Sequence, residues 1–355
     1  MKIQKLGLFR KETCRSVNRN RNPEQLLDHN CIYDDATELI GDTPIVRLSR
    51  LFPQHNVLAK LEGFNPVGSI KDRPACYMIK SALKRGEVTS KTVVVESSSG
   101  NLGLALAFIC KFYNLRFIAV VDPKISKTNL QLLKLHGAEI EMVREPDETG
   151  NYLSKRIERV KEICQKIPQS FWPCQYGSQD NPNAHYYGTG EEIVTQLNGS
   201  PLDYFLAATS TTGTITGVSR RLKEVYPGLT VTAVDEEGSS LFGGQPGPRF
   251  LNGMGAGHPL PDLAVKAHQQ EIADYVIRVT AEEAIKACYD LLESEGIMAG
   301  GSGGAVIAAL QKYLPTFPSG SSILIILPDR GERYLQSFYD EEWVAQKLSP
   351  LTLVA

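Results

Sequence analysis

From residue 36 onward, short runs of consecutive apolar residues alternate with longer stretches whose apolar positions recur at helical spacing. The short, β-branched runs predict strands at "NVLAKLE" (56–62), "TVVVESS" (92–98), "RFIAVVD" (116–122), "EIEMVRE" (139–145), "DYFLAAT" (203–209), "TVTAVD" (230–235) and "SSILIILPD" (321–329). Several are apolar at successive positions, as strands covered on both faces are. Between them, "NLGLALAFICKFY" (101–113), "SKTNLQLLKLHG" (126–137), "YLSKRIERVKEICQKI" (152–167) and "AEEAIKACYDLLESEG" (281–296) carry the stripe of an amphipathic or buried helix. This alternation predicts an α/β protein in which twisted, mostly parallel sheets are flanked by helices. Strand, hydroxyl- or Gly-rich turn and helix recur at three places, and such turns gather at the carboxyl ends of parallel strands, where ligands bind.

A chain of 355 residues suits two lobes sharing a cleft. No repeat or low-complexity linker separates them, so the lobes are expected to be interleaved in sequence. The net charge of −2 argues against a nucleic-acid or anionic-membrane partner and for a small ligand. Seven cysteines without CxxC or zinc-ligand spacing fit a reducing cytoplasm and give no reason to expect a metal. No apolar run reaches the ~20 residues that span a bilayer. The first thirty residues, "MKIQKLGLFRKETCRSVNRNRNPEQLLDHN", are basic and aperiodic, and read as a mobile or edge-docking extension, with a transit peptide as the alternative.

The first of the three turns, "ESSSGNLG" (96–103), offers Ser97, Ser98 and Ser99 around the free amides of a helix start, more hydroxyls than one N-cap needs. The second, "TSTTGTITG" (209–217), could cradle a phosphate with hydroxyls and amides alone; it lacks the lysine of a P-loop. In the third, "GIMAGGSGGAVIAAL" (296–310), Ser302 stands among glycines that allow either close approach of a flat ligand or tight helix packing. Lys71, in "NPVGSIKDRPA" (65–75), sits where a helix begins, at the end that repels cations. A lysine disfavoured as a cation is suited to Schiff-base chemistry. Together with an anion cradle free of lysine and a neutral hydroxyl, it describes a site for pyridoxal phosphate.

The residues "GDTPIVRLSRL" (41–51), "NPVGSIKDRPA", "ESSSGNLGLALA" (96–107), "STTGTITG" (210–217), "GMGAG" (253–257), "EGIMAGGSGGA" (295–305) and "ILPDRGERYL" (326–335) resemble the cysteine synthase and cystathionine β-synthase family, in order, over about residues 34 to 345. The resemblance implies the fold type II of pyridoxal phosphate enzymes, similar to the tryptophan synthase β-subunit, usually as a homodimer. It implies a large cofactor domain from 34–64 and 179–345, a small substrate-loop domain from 65–178, an extension over 1–33 and a tail over 346–355. It also implies that Lys71 holds the cofactor as a Schiff base and moves protons, and that Asn101 touches the cofactor's 3′-oxygen. Ser98, Ser99 and Gln175 would hold the substrate α-carboxylate. Ser210, Thr211, Thr212, Gly213 and Thr214 would wrap the phosphate, and Ser302 would meet the pyridine nitrogen. A hydroxyl cannot keep that nitrogen protonated as a carboxylate would, which favours β-replacement over transamination.

Typical cysteine synthases read "EPTSGNTG" and "GTGGT"; here Leu102 replaces a hydroxyl, and Ser210 and Thr212 replace glycines. Through "LFPQHNVLAKLE", "VVDPKISKTNL", "STTG", "AGGSGG" and "ILPDRGERYL" the chain more closely resembles the diaminopropionate-pathway synthases of staphyloferrin B and peptide antibiotic biosynthesis. Those join O-phospho-L-serine to L-glutamate, giving N-(2-amino-2-carboxyethyl)-L-glutamate and phosphate. The alternative is a cysteine synthase using O-acetylserine or O-phosphoserine with sulfide; intact Lys71 argues against a non-catalytic subunit. Anionic substrates call for donors at the cleft, and Tyr176, Arg156 and Lys127 are the candidates. Asp72 and Arg73 are expected to form a structural pair or a helix-start contact, Cys174 to be an inert thiol, and "GERY" (331–334) to close the sheet without a catalytic duty. Cys14, His29 and Cys31 match a haem-binding arm poorly.

Overall fold

The computed structural model describes residues 32–148, 150–257 and 273–348. The basic extension up to residue 31, with Cys14, His29 and Cys31, and the tail from residue 349 lie outside the described residues.

Two sheets organise the chain. The larger has the order β1 (Ile45–Arg47), β2 (Asn56–Leu61), β10 (Ser322–Leu327), β7 (Tyr204–Ala208), β8 (Thr230–Glu236), β9 (Tyr275–Val279). Only β1 runs antiparallel to its neighbour. The smaller, all parallel, is β5 (Glu139–Met142), β4 (Arg116–Val121), β3 (Val93–Ser97), β6 (Ser170–Phe171). The small sheet is thus inserted between β2 and β7 of the large one. All seven strands read from the apolar runs are present. The three that were not, β1, β6 and β9, are two to five residues long.

The consecutive apolar runs follow from coverage on both faces. Along β10, Ile323, Ile325 and Leu327 face one cluster with α8 (Ala281–Glu295) and α9 (Gly301–Tyr313), while Leu324 and Ile326 face a second with α6 (Glu191–Leu197) and α7 (Gly213–Val225). In the small sheet, Val94, Phe117 and Ala119 pack against α1 (Asp72–Arg85) and α2 (Asn101–Phe112). Val93, Val95 and Val120 meet Val160 and Ile163 of α4 (Leu153–Lys166). The remaining helices are α3 (Lys127–Leu135), α5 (Asp180–Ala184) and α10 (Glu341–Leu348), and a π-helical turn spans His185–Gly190. Helix α8 begins with a reciprocal Thr280–Glu283 capping box. None of the described helices is long and apolar enough to cross a membrane.

Beneath α1 lies a buried ion network. Arg73 donates to both oxygens of Glu62 (2.6 and 2.9 Å) and of Glu192 (2.6 and 2.7 Å), and Lys60 donates to Glu192 (2.9 Å), Gln196 and the Thr43 carbonyl. Asp72 instead accepts from the Val67 amide at 2.6 Å, a helix-start contact; it does not pair with Arg73.

Candidate active site

Helices α1, α2, α7 and α9 all begin at residues singled out above: Asp72 just after Lys71, Asn101, Gly213, and Gly301 just before Ser302. Each start leaves amides without helical partners and a partial positive charge.

Lys71 is partly buried at the cap of α1, held by its amide on Ser69 Oγ (3.2 Å), and its amine has no hydrogen-bond partner among the described residues. Burial pushes the Lys71 ammonium down from its ordinary value, with the Asp329 carboxylate pulling the other way. Asp329 is 4% exposed and takes hydrogen bonds from Asn101 Nδ2 and Tyr334 Oη, each at 2.7 Å. Arg333 reaches Asn101 Oδ1 and the Val67 carbonyl. The "PDRGERY" segment therefore does more than close a sheet, because it fixes both ends of the Asn101 amide beside the lysine.

On the other side of Lys71, His185 is fully buried, with Nδ1 3.0 Å from Thr189 Oγ1 and Nε2 3.3 Å from Thr214 Oγ1. Burial first, then the Lys71 and Arg73 charges, push its pKa well below the ordinary value. The ring is therefore neutral and orients the Thr214 hydroxyl in the second turn. In that turn Ser210 Oγ donates to the Gly255 carbonyl (3.4 Å), and Thr211 Oγ1 accepts from Asn181 Nδ2 (3.1 Å). Thr212 has φ of 62°, a left-handed conformation rare for a β-branched residue, at a position the resembling family fills with glycine. A Cβ at Gly213 would overlap the Asn181 amide, so glycine is required there.

Ser98 and Ser99 divide their work. Ser98 is buried and its Oγ accepts from the Gly103 amide (2.9 Å), which leaves its proton free to donate. Ser99 Oγ accepts from Arg156 Nη1 (3.2 Å), and its carbonyl accepts from Asn129 Nδ2 (3.1 Å). Arg156 is also paired with Asp122 at 3.3 Å; its Nε is buried without a partner. Lys127 is exposed on the first turn of α3 without a hydrogen bond or ion pair among the described residues. Gln175 and Tyr176 line a small pocket with Asn181, Thr211, Thr212 and Gly213. Burial pushes the Tyr176 hydroxyl up from its ordinary value, against the Arg156 and Arg249 charges. Cys174 beside it is a partly buried thiol with its pKa raised by burial, consistent with inertness.

The glycines of the third turn serve packing: a Cβ at Gly304 would overlap the Ala284 carbonyl of α8, and one at Gly301 would meet Phe338 at 2.5 Å. Ser302 between them is partly exposed, and its hydroxyl forms no hydrogen bond among the described residues.

These groups fit pyridoxal phosphate. An amine disfavoured as a cation and an anion cradle at the start of a 13-residue helix are linked through His185, and the third helix start approaches Asp329, the carboxylate that acts on Lys71, at Gly300. One pH effect follows. Cofactor attachment needs the neutral amine, whose population rises with pH through the lowered pKa of Lys71. Reconstitution of stripped protein, followed by visible absorbance, is expected to speed up with pH and level off below ~10.4, the ordinary lysine value. A rate still climbing at that pH would contradict it.

Residues 36–329 match the sequence family described as pyridoxal-phosphate dependent enzyme. Among solved structures, the chain is similar to an O-acetylserine dependent cystathionine β-synthase from Helicobacter pylori, with 34% identity over 86% of this chain and 98% of that one, and a TM-score of 0.79. It is similar to an O-ureido-L-serine synthase at 29% identity, covering 89% and 100%, with a TM-score of 0.80. It also resembles isoform 3 of O-acetyl serine sulfhydrylase from Entamoeba histolytica, at 31% identity, covering 88% and 93%, with a TM-score of 0.78.

Proposed function

Because the chain belongs to the pyridoxal-phosphate dependent enzymes, and is a β-replacement enzyme of the cysteine synthase family, we propose that it joins O-phospho-L-serine to L-glutamate. The bond from Cβ to the phosphate oxygen breaks and one from Cβ to the glutamate nitrogen forms. The products are phosphate and N-(2-amino-2-carboxyethyl)-L-glutamate, a precursor of L-2,3-diaminopropionate for a siderophore or peptide natural product. We further propose that it acts as a cytoplasmic homodimer.

Pyridoxal phosphate, when bound, supplies the conjugated electron sink that makes the substrate Cα proton acidic and lets the Cβ substituent depart. Lys71 would anchor it and carry the Cα proton away and back. Thr211, Thr212, Gly213 and Thr214, with Ser210, would hold its phosphate, Asn101 its ring oxygen and Ser302 its ring nitrogen. Ser98, Ser99 and Gln175 would bind the substrate α-carboxylate.

The observation that favours a phosphorylated first substrate is Arg156. Its guanidinium touches Ser99 and keeps a buried Nε without a partner. A phosphate leaving group is a dianion and needs such a cation, whereas an acetate ester is neutral. Arg156→Gln is expected to raise KM for O-phosphoserine about 10- to 100-fold, the worth of a charge-assisted hydrogen bond, with less effect on O-acetylserine. Equal effects on both donors would remove that support. The function itself is tested by incubating the holoenzyme with O-phosphoserine and either glutamate or sulfide, and weighing the products by mass spectrometry. Glutamate-dependent phosphate release supports it; a much higher kcat/KM for cysteine formation would favour the cysteine synthase reading.

A further inference from the structure

We propose that Arg249 selects the acceptor, binding the side-chain carboxylate of the incoming dicarboxylic amino acid at the mouth of the cleft. This rests on the reading above that the acceptor is a dicarboxylate.

Arg249 is an exposed residue on the segment that follows β8, yet it is not loose: Nη1 donates to the Met254 carbonyl at 3.1 Å. The same segment builds one wall of the anion cradle. The Gly255 amide donates to the Thr209 carbonyl (2.8 Å), the Gly255 carbonyl accepts from Ser210 Oγ (3.4 Å), and Ala256 packs with Leu241 against Tyr176. At Gly257 this wall meets the other side of the cleft, because a Cβ there would lie 3.1 Å from Arg249 Nη2 and 3.8 Å from Asn151 Nδ2. Asn151 accepts the Leu153 amide on Oδ1 (2.9 Å) at the start of α4, the helix that carries Arg156. Donors from the two walls thus converge at the mouth.

Two guanidiniums, Arg156 and Arg249, both act on the Tyr176 hydroxyl. Arg156 is the inner one, against Ser99 and already paired with Asp122. Arg249 is the outer one; its charge also acts on the Asp235 and Glu236 carboxylates, but it forms no salt bridge among the described residues. The neighbouring carboxylates Asp235 and Glu236 are almost wholly buried, and Glu236 Oε1 is committed to the Phe250 and Leu251 amides. A substrate pair with a phosphate to expel and an acceptor that brings a side-chain carboxylate besides its α-carboxylate calls for more than one cation along the cleft. Sulfide would use neither arginine. Hence Arg249 is a specificity residue that holds the acceptor and has no part in proton transfer.

The test compares wild-type holoenzyme with Arg249→Gln and Arg249→Lys, using saturating O-phosphoserine and glutamate, glutamine or sulfide as acceptor. Loss of one charged hydrogen bond predicts a KM for glutamate raised about 10- to 100-fold, with kcat less affected. The preference for glutamate over glutamine should collapse, the glutamate-to-sulfide ratio of kcat/KM should fall by the same factor, and lysine should restore part of both. If wild type couples glutamate and Arg249→Gln keeps its KM, or loses activity equally with sulfide, the arginine assignment is overturned while the function stands. If wild type couples no dicarboxylate yet makes cysteine, both are overturned.

Discussion

Lys71→Ala is expected to lower turnover by at least about a thousandfold, because it removes the group proposed to anchor the cofactor and the base that moves the Cα proton. The fold should survive. The amine makes no hydrogen bond or ion pair among the described residues and its charge is disfavoured by burial, so truncation breaks no polar pair there. The contact that fixes the residue, its amide on Ser69 Oγ, belongs to the backbone and remains. Absorbance of the Schiff base should vanish while the melting temperature of stripped protein moves by only a few degrees. Turnover retained in this variant would overturn the assignment of Lys71.

Arg73→Ala should do the opposite, harming the fold first. Its side chain is 4% exposed and faces two carboxylates, Glu62 at 0% and Glu192 at 17%. Burial acts to lower the Arg73 pKa, but Glu62 and Glu192 outweigh it and hold the guanidinium firmly charged. Removing it strands buried negative charge that Lys60 alone must balance, a loss of about 3–5 kcal/mol for a broken buried pair. Denaturant unfolding measures it; a change below about 1 kcal/mol would show the network to be dispensable.

The network also has a pH signature. Burial alone would raise the Glu192 pKa, but Arg73 and Lys60 bring it down to about 2 from an ordinary 4.5. A depressed carboxylate contributes stability that is complete above its unfolded value and is lost as pH falls through the folded one. Wild type should therefore lose this contribution between about pH 4.5 and 2. In Arg73→Ala that acid-dependent loss should shrink.

The sequence revealed what repeats or punctuates. Strands such as β3, β4 and β10 were legible because both faces are covered, which forces unbroken apolar runs. The three turns were legible because hydroxyls and glycines between a strand and a helix are uncommon in such density. Short edge elements were not: β6 has only Ser170 and Phe171, and β9 exposes Tyr275 and Val276. Nor could the sequence reveal the groups that support the site. Asp329 meets Asn101 across 228 residues, and Asn181 meets Thr211 across 30. His185 lies in "NAHYYGTG", whose aromatic neighbours give no hint that its ring is buried against Thr214. Each partner is ordinary in its local context and becomes informative only when folding brings the segments together.

The insertion of the small sheet into the large one sets an order of assembly. The residues flanking Lys71 are fixed by the segment just after β10, the last of the described strands: the Ile70 amide donates to the Pro328 carbonyl at 2.8 Å, and Ser69 bridges Asp329. Strand β10 also fills the gap between β2 and β7. Since chains fold from the N-terminus as they leave the ribosome, β3 to β6 can pair while β2 still waits for its parallel neighbour. A nascent chain short of residue 329 therefore lacks the contacts that position its lysine, and competence for chemistry arrives in one late step of synthesis.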